Sequence, residues 1–189
     1  MNVLEAIRGR RSIRAYGPEP VDEGRVHELL EAAIHAPSAM NRQPWAFVVI
    51  QDPALLKSIS DRAKAHALAD LDPRAPHGFR ETLSSPDTNL FYDAGTLILI
   101  CASADGGFAP GDCCLAAQNL MLAAHALGLG TCPIGLALGW LGLPESKREL
   151  GIPAGYAPVL PLIVGHPREH PPMPQRHPPE VLRWIRRQP

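Results

Sequence analysis

A cluster of basic residues stands near the start of this 189-residue chain, in the stretch RRSIR. Arg10, Arg11 and Arg14 surround Ser12 there, although the whole chain has a formal net charge of only −1. Guanidinium groups bind phosphate through forked, charge-assisted hydrogen bonds, and a serine hydroxyl can add another. The cluster is therefore either a pocket for a compact anion or a solvated basic face. Because the total charge indicates no general attraction to nucleic acid or to an anionic membrane, we expect a local role.

A second polar stretch, APSAMNRQPW, follows a predicted helix. Asn41 offers both a hydrogen-bond donor and an acceptor, which suits the edge of a heterocycle with alternating carbonyl and N–H groups. Ser38 and Gln43 are the other polar candidates in this loop. Together with the arginine cluster, the loop points to a phosphorylated, flat heterocycle as ligand, and the alternative of surface arginines beside a polar loop stays open.

A glycine-rich stretch, GLGTCPIG, runs from Gly128 to Gly135. A dinucleotide-binding turn of the Rossmann type needs Gly-x-Gly-x-x-Gly between a strand and a helix. This stretch instead follows a predicted helix and has Pro133 in place of the third glycine. A Walker loop is excluded because the chain contains no Gly-Lys-Ser/Thr. A helix C-cap explains Gly128 and Gly130, which leaves a tight backbone path whose N–H groups can approach a flat ligand.

The sequence shows no side chains that would carry out a reaction unaided. It has no Gly-x-Ser-x-Gly elbow, no His-Glu-x-x-His motif and no recognisable pair of carboxylates. The cysteines form no Cys-x-x-Cys pair, so we predict small buried hydrophobic side chains rather than metal ligands or disulfides; they are Cys101, Cys113, Cys114 and Cys132. No metal site is predicted. A protein of this kind is a candidate for chemistry borrowed from a cofactor.

Composition and periodicity predict one domain in which helices flank a central sheet. Hydrophobic residues make up 46% of the chain and charged residues 20%, as in globular proteins. Asn2, Asp22 and Asp52 should cap helices, the second of which ends at Ala36 before a proline. The stretch TLILICAS should form a strand that is buried on both faces. Strands separated by helices predict an α/β or α+β sandwich.

The second half of the chain combines one long helix with stretches of little regular pattern. Asp112 should cap a long helix. The stretch that follows is apolar almost all round, so this helix should lie at the centre of the molecule. The range 72–89 has little periodicity and is either a mobile flap over a site or a surface excursion. A proline-rich tail, 166–179, should be extended, and 179–187 should form a short amphipathic helix. No apolar stretch is long enough to span a membrane and the first residues lack a signal-peptide pattern, so we expect a cytoplasmic protein.

Four stretches resemble the FMN-dependent nitroreductase family in their order and spacing. They are RRSIRAYGPEPV, AAIHAPSAMNRQPWAFVVI, the helix that ends in GLGTCPIG, and LGIPAGYAPVLPLIVGHP. The resemblance implies an α+β fold with a central, mostly antiparallel sheet flanked by helices, in a domain-swapped homodimer. It implies two FMN sites at the dimer interface, each using residues of both chains. Residues 1–189 would form one FMN-binding domain, with 166–189 as an extended arm and short helix that pack on the partner chain.

The resemblance also assigns the basic cluster a role in anchoring the flavin. Arg10, Arg11, Ser12 and Arg14 match the family's cluster, and Arg10 and Ser12 would hold the phosphate and ribityl chain. Arg14 would reach the pyrimidine edge, where a cation stabilises the negative charge that accumulates on reduction and raises the flavin's potential. The tail arginine of the family corresponds to Arg176, which we favour over Arg168 as the second phosphate ligand.

Two further stretches would contact the flavin ring. The partner chain would lay a loop along it; the matching residues here are Pro37, Ser38, Ala39, Met40, Asn41 and Gln43. Pro133, Ile134 and Gly135 resemble the segment that packs against the isoalloxazine, where a backbone N–H faces flavin N5. The LALGW sequence that follows predicts an apolar lining for the acceptor.

The function implied is that of an FMN oxidoreductase with a two-step, ping-pong cycle. NADH or NADPH would donate hydride to flavin N5, and a small, flat acceptor such as a nitroaromatic or quinone would then take it. Two alternatives stay open: a specialised flavin enzyme of the same fold, such as a dehalogenase, a dehydrogenase or one that cleaves flavin, and a non-catalytic FMN-binding carrier or sensor.

Overall fold

The computed structural model describes residues 1–17, 19–72, 74–103 and 107–187. The helices in these ranges are α1 (Val3–Gly9), α2 (Glu23–Ile34), α3 (Pro53–Ala69), α4 (His77–Ser84), α5 (Ala109–Ala126), α6 (Leu138–Leu141) and α7 (Pro144–Glu149). The strands are β1 (Trp45–Ile50), β2 (Thr96–Ser103), β3 (Gly130–Pro133) and β4 (Tyr156–Gly165). Short 3-10 helices span Ala39–Asn41 and Gly135–Ala137.

The strands form one sheet in the order β1-β2-β4-β3, and each neighbouring pair is antiparallel. Strand β2 lies inside the sheet and is buried from Thr96 to Ala102, which confirms the prediction for TLILICAS. The short β3 lies at one edge, where Gly130 pairs with Gly165. This edge strand is the element that brings the glycine-rich stretch beside the start of the chain.

Helices cover both faces of the sheet. On one face α2 and α5 pack against side chains such as Ile98, Ile100 and Leu162. On the other, α3 and α6 pack against Leu97 and Leu99. Alternate residues of β2 thus serve opposite layers, as the twofold period of a strand requires. The α+β class and the helix-flanked, antiparallel sheet that the sequence predicted are confirmed.

Predicted caps hold at three helices and fail at a fourth. Asn2 and Glu5 form a capping box, Asp22 accepts from Arg25 N, and Asp52 accepts from Ala54 N. Helix α2 ends at Ile34, two residues short of the predicted end. The prediction for Asp112 is wrong, because α5 begins at Ala109 after Phe108, with proline in its first turn. Proline is favoured there because its missing N–H would have no partner in the helix.

Three other predictions differ from the structure. The range 72–89 contains α4, for which the sequence gives no capping residue, and β3 is a strand that we did not predict. Residues 179–187 form no helix. Their apolar side chains, among them Leu182, Trp184 and Ile185, are largely exposed, and a short helix without packing is marginal. Residues 188 and 189 lie outside the described residues. No helix of the described ranges is both long and apolar enough to cross a membrane.

Candidate functional site

The basic cluster lies along the edge of the sheet, beside β3. Ser12 forms a parallel bridge with Thr131, and Ile13 N donates to Thr131 O at 3.0 Å. Gly130 allows this close approach, since a Cβ there would come within 2.7 Å of the Ile13 side chain. Gly165 likewise accommodates the Tyr16 ring, where a Cβ would meet Cδ1 at 2.7 Å. The glycines of two paired strands thus seat the segment that carries the arginines.

The charge of Arg176, in the tail, acts on Arg10 although the two residues are far apart in sequence. The pKa of Arg10 is lowered from its usual value, first by burial and then by the charges of Arg176 and Arg11. An arginine stays protonated in a protein despite such a shift. Like charges gathered at a half-buried position leave a strong attraction for an anion, so the pair is well suited to a phosphate.

Arg11 has a different role from the rest of the cluster. One of its terminal nitrogens donates to the carbonyls of Arg8, Gly9 and Arg10, at 2.6, 2.9 and 2.8 Å. These carbonyls belong to the end of α1, where a helix leaves acceptors without partners. The Arg11 guanidinium therefore caps the end of α1.

Arg14 lines a cavity of about 280 Å³ together with Pro133, Ile134 and Gly135. Cys132 forms its floor and is 2% exposed. Burial raises the pKa of the Cys132 thiol, while Arg14, a hydrogen bond with Ser12, and Arg10 act in the opposite direction. The thiol thus lines the same cavity as Arg14. We call this space the Gly135 cavity.

The backbone N–H of Gly135 is a candidate donor to a ligand in this cavity. Pro133 has none, and Ile134 N donates to Pro161 O at 2.9 Å. Gly135 opens a 3-10 helix, and the first N–H groups of a helix have no partner within it. A Cβ on Gly135 would meet no atom within 4 Å, so its Cα faces open space.

The predicted loop lies beside the first turn of α5. Asp112, buried in the first turn of α5, accepts a hydrogen bond from Ala39 N, with both carboxylate oxygens at 3.2 Å. Ser38 Oγ accepts from Gln43 N at 2.9 Å. Met40, Asn41 and Gln43 have positive φ angles, so the loop is held in an unusual backbone conformation. Pro37 and most of its neighbours are exposed.

The two groups of predicted residues cannot meet within one chain. The arginine segment contacts the last turn of α5, where a Cβ on Gly9 would lie 2.5 Å from His125 Nε2. The loop contacts Asp112, in the first turn. At about 1.5 Å of rise per residue, these two points of α5 lie roughly 20 Å apart. The structure therefore brings together Arg10, Ser12, Arg14, Arg176 and the Pro133–Gly135 segment, and leaves the 37–43 loop elsewhere.

A larger cavity of about 680 Å³ adjoins the first, and Arg14, Leu90, Tyr92 and Leu136 line both. Its outer wall is α4 and the loop that follows; residues of this wall include Phe79, Thr82, Leu83 and Thr88. We call this space the α4 cavity. Arg168 lines the α4 cavity as well, whereas the charge of Arg176 acts on Arg10. Of the LALGW stretch, Leu136 lines this cavity and is exposed, whereas Ala137 and Trp140 are buried in the core.

Several residues of these cavities were not predicted. Cys132 was assigned to the core, and it is indeed buried, but it also lies against the arginines. Tyr92 follows α4 and has a positive φ, a feature with no local sequence signal. Among the other cysteines, Cys101 and Cys113 are buried as predicted, whereas Cys114 is exposed, contrary to prediction.

Comparison with known proteins identifies the relatives of this chain. A model of the nitroreductase family matches residues 7–166. The chain belongs to the nitroreductase family. An NADH dehydrogenase of Thermus thermophilus is 34% identical over 184 residues, covering 85% of this chain and 84% of the relative. An FMN reductase (NAD(P)H) of Bacillus subtilis is 29% identical, covering 95% and 72%. The resemblance found in the sequence motifs is confirmed.

A solved nitroreductase shares the fold. The nitroreductase of Bacteroides fragilis, with bound FMN, matches with a TM-score of 0.83 and 28% identity, over 98% of each chain. The residues of the present site fit such a group: paired cations near Arg10, a hydroxyl at Ser12, and a cavity that faces the open side of Gly135. The cations suit a phosphate, the hydroxyl suits a polar chain, and the cavity suits a flat ring.

Proposed function

We propose that this nitroreductase-family member is an NAD(P)H-dependent FMN oxidoreductase that reduces a small, flat acceptor such as a nitroaromatic or quinone. The observation that carries the proposal is the continuity of three features: the Arg10–Arg176 pair, the Gly135 cavity and the wider α4 cavity. This order suits a cofactor phosphate, its ring and a second flat molecule over that ring. Bound FMN would supply the hydride chemistry, which protein side chains lack.

Each part of the site has a defined task in this proposal. Arg10 and Arg176 bind the phosphate, and Ser12 adds a hydroxyl. Arg14, which lines the Gly135 cavity, holds a positive charge beside the ring and so stabilises negative charge on it. Gly135 N–H, in the first turn of a 3-10 helix, would donate to the ring, whereas Ile134 N–H already binds Pro161 O.

The α4 cavity suits two substrates that bind in turn. It is open and combines aromatic and aliphatic surface from Phe79, Tyr92 and Leu136 with the charges of Arg168 and Asp87. A nicotinamide and a flat acceptor both need apolar surface over the ring, and neither needs a catalytic side chain. A shared position for both implies a ping-pong cycle, in which the oxidised nicotinamide leaves before the acceptor enters.

A second copy of the chain would complete the site. The 37–43 loop has no ring to contact in its own chain, and Met40 is 89% exposed. Helix α1 exposes Val3, Leu4 and Ile7, and the tail exposes Trp184. Apolar patches of this kind mark interaction surfaces. We therefore propose a homodimer in which the loop of one protomer closes over the ring bound by its partner, and the arm from residue 166 onward packs on that partner.

Anaerobic absorption spectroscopy tests the proposed activity. The purified protein is saturated with FMN and mixed with NADH and with NADPH in separate cuvettes. We expect at least one nicotinamide to bleach the flavin spectrum, and addition of benzoquinone to restore it. A flavin spectrum that neither nicotinamide bleaches would contradict the reductase and favour an FMN-binding carrier. Failure to take up FMN at all would contradict the site itself.

A further inference from the structure

The outer wall of the α4 cavity is fastened to the rest of the molecule at few points. Thr88 Oγ1 donates to Thr82 O at 2.6 Å, which ties the loop after α4 back to the helix. Leu90 N donates to Ser60 Oγ of α3 at 2.8 Å, and Leu83 is buried in the core. The position of this wall decides how much room lies over the Gly135 cavity.

A buried lysine of α3 makes a further attachment. Lys64 is 6% exposed, and its Nζ donates to Ser85 O at 3.1 Å and to Thr88 O at 2.6 Å. Ser85 is the residue that ends α4, so the ammonium meets the negative end of the helix dipole. Asp61 Oδ1 lies 3.3 Å from the same nitrogen and balances its charge.

This arrangement is more than core packing requires. An apolar side chain would fill the space under α4 without the cost of burying an ammonium group. The ammonium instead fixes the end of α4 and the residue that lines the cavity, Thr88, at a set distance from α3. Without it, Thr88 O would lose this donor and Ser85 O would keep only Thr88 N, at 3.2 Å, so these half-buried carbonyls would turn toward water and loosen the wall.

We propose that Lys64 is a positioning residue that sets the width of the α4 cavity and thereby the acceptor preference of the enzyme. It touches neither cofactor nor acceptor and acts through the 85–90 backbone. The phosphate-binding residues lie on other elements, at the end of α1 and in the tail, so we expect Lys64 to affect FMN binding much less than acceptor binding. This inference rests on the proposed function, because it takes the α4 cavity as the acceptor position.

The test compares Lys64→Met, which keeps the aliphatic stem, with Lys64→Arg, which keeps a cation able to donate to both carbonyls. Lys57→Met is the matched control, because Lys57 lies on α3, pairs with the same Asp61 and is half exposed. The FMN-loaded proteins are assayed with benzoquinone as the small acceptor and anthraquinone sulfonate as the wide one. FMN affinity is measured separately by titration of the apoprotein.

We expect Lys64→Met to raise the KM for benzoquinone and to shift the kcat/KM ratio toward the wide acceptor by about tenfold. FMN affinity should stay within about twofold, and Lys64→Arg should recover most of the preference. Lys57→Met should behave as the unaltered protein. An unchanged acceptor ratio in Lys64→Met, or an equal change in Lys57→Met, would overturn the proposal.

Amide hydrogen exchange supplies a readout that does not depend on turnover. In Lys64→Met the amides of 85–90, including Leu90 N–H, should exchange faster than in Lys57→Met, with exchange in the sheet unchanged. Unaltered exchange at 85–90 would refute the positioning role. If the unaltered protein reduces no acceptor at all, the proposed function fails, whereas the exchange result still decides whether Lys64 holds this wall.

Discussion

Arg14 is the residue whose charge should have the most specific effect on the bound ring. It is exposed, lines both cavities and is placed by the backbone that follows Ser12 along β3. Loss of a charged hydrogen bond costs on the order of 1.5–3 kcal/mol, equivalent to about ten- to a hundredfold in Kd. We therefore predict that Arg14→Ala weakens FMN binding by this factor and lowers the reduction potential of the bound flavin, as measured by titration and spectroelectrochemistry.

Arg8→Ala is the matched control for this prediction. Arg8 is an exposed arginine on α1 that lines neither of the two cavities in the structure. Its removal changes the total charge by the same amount, so it reports any general electrostatic effect on FMN. Equal behaviour of Arg8→Ala and Arg14→Ala would remove Arg14 from the site.

His125 should make the stability of the apoprotein depend on pH. Burial lowers its pKa below the usual 6.5, and the charges of Arg11, Arg10 and His170 lower it further. The folded state then binds fewer protons than the unfolded state between the folded pKa and about 6.5. Above about pH 6.5 His125 does not reduce the free energy of unfolding. Below it, the free energy of unfolding decreases as the pH falls through the folded pKa of His125.

The expected result is a free energy of unfolding that decreases on acidification below about pH 6.5, and less so in His125→Gln. Urea denaturation of the FMN-free protein at a series of pH values measures it, because bound phosphate would change the charge beside His125. His35→Gln, at an exposed position, serves as control. The same pH slope in His125→Gln and the unaltered protein would refute this assignment.

At the scale of the elements, local signals decided what could be predicted. Helices with a capping residue, α1, α2 and α3, were predicted from Asn2, Asp22 and Asp52. Helix α4 follows Pro76, which provides no side-chain cap, and α5 begins at a proline turn rather than at Asp112, the predicted cap. Strand β3 has four residues, including a glycine and a proline, and exists because β4 pairs with it.

The site shows the same division between local and tertiary information. Arg10, Ser12, Arg14 and the Pro133–Gly135 segment were proposed from motifs that match a family, and the structure shows only that these residues lie along the same edge of the sheet and its cavity. Their convergence depends on the pairing of β3 with β4, which no local pattern encodes. Asp112 was predicted as a cap and instead holds the 37–43 loop through Ala39 N, a contact between residues distant in sequence.

Asp112 links α5 to the 37–43 loop, and its removal tests the loop as an element. In Asp112→Ala the Ala39 N–H loses its acceptor, which costs about 1–3 kcal/mol if that group stays buried. We predict that FMN affinity falls by about tenfold, because the loop no longer keeps its strained conformation. Asp112→Asn retains an acceptor oxygen and should bind FMN nearly as the unaltered protein does; equal affinity in all three proteins would separate the loop from the site.

At the scale of the whole molecule, a heterodimer of two variant chains distinguishes a site shared between protomers from a site within one chain. One chain carries Arg10→Ala with Arg14→Ala, and the other Asn41→Ala with Gln43→Ala. If each site uses the arginines of one protomer and the loop of its partner, a heterodimer has one intact site and one with both lesions. Sites within single chains would instead leave every site of that heterodimer damaged. We predict that co-expressed, doubly tagged heterodimers bind FMN at half of their sites with the affinity of the unaltered protein, as measured by titration, while each homodimer binds weakly at all sites.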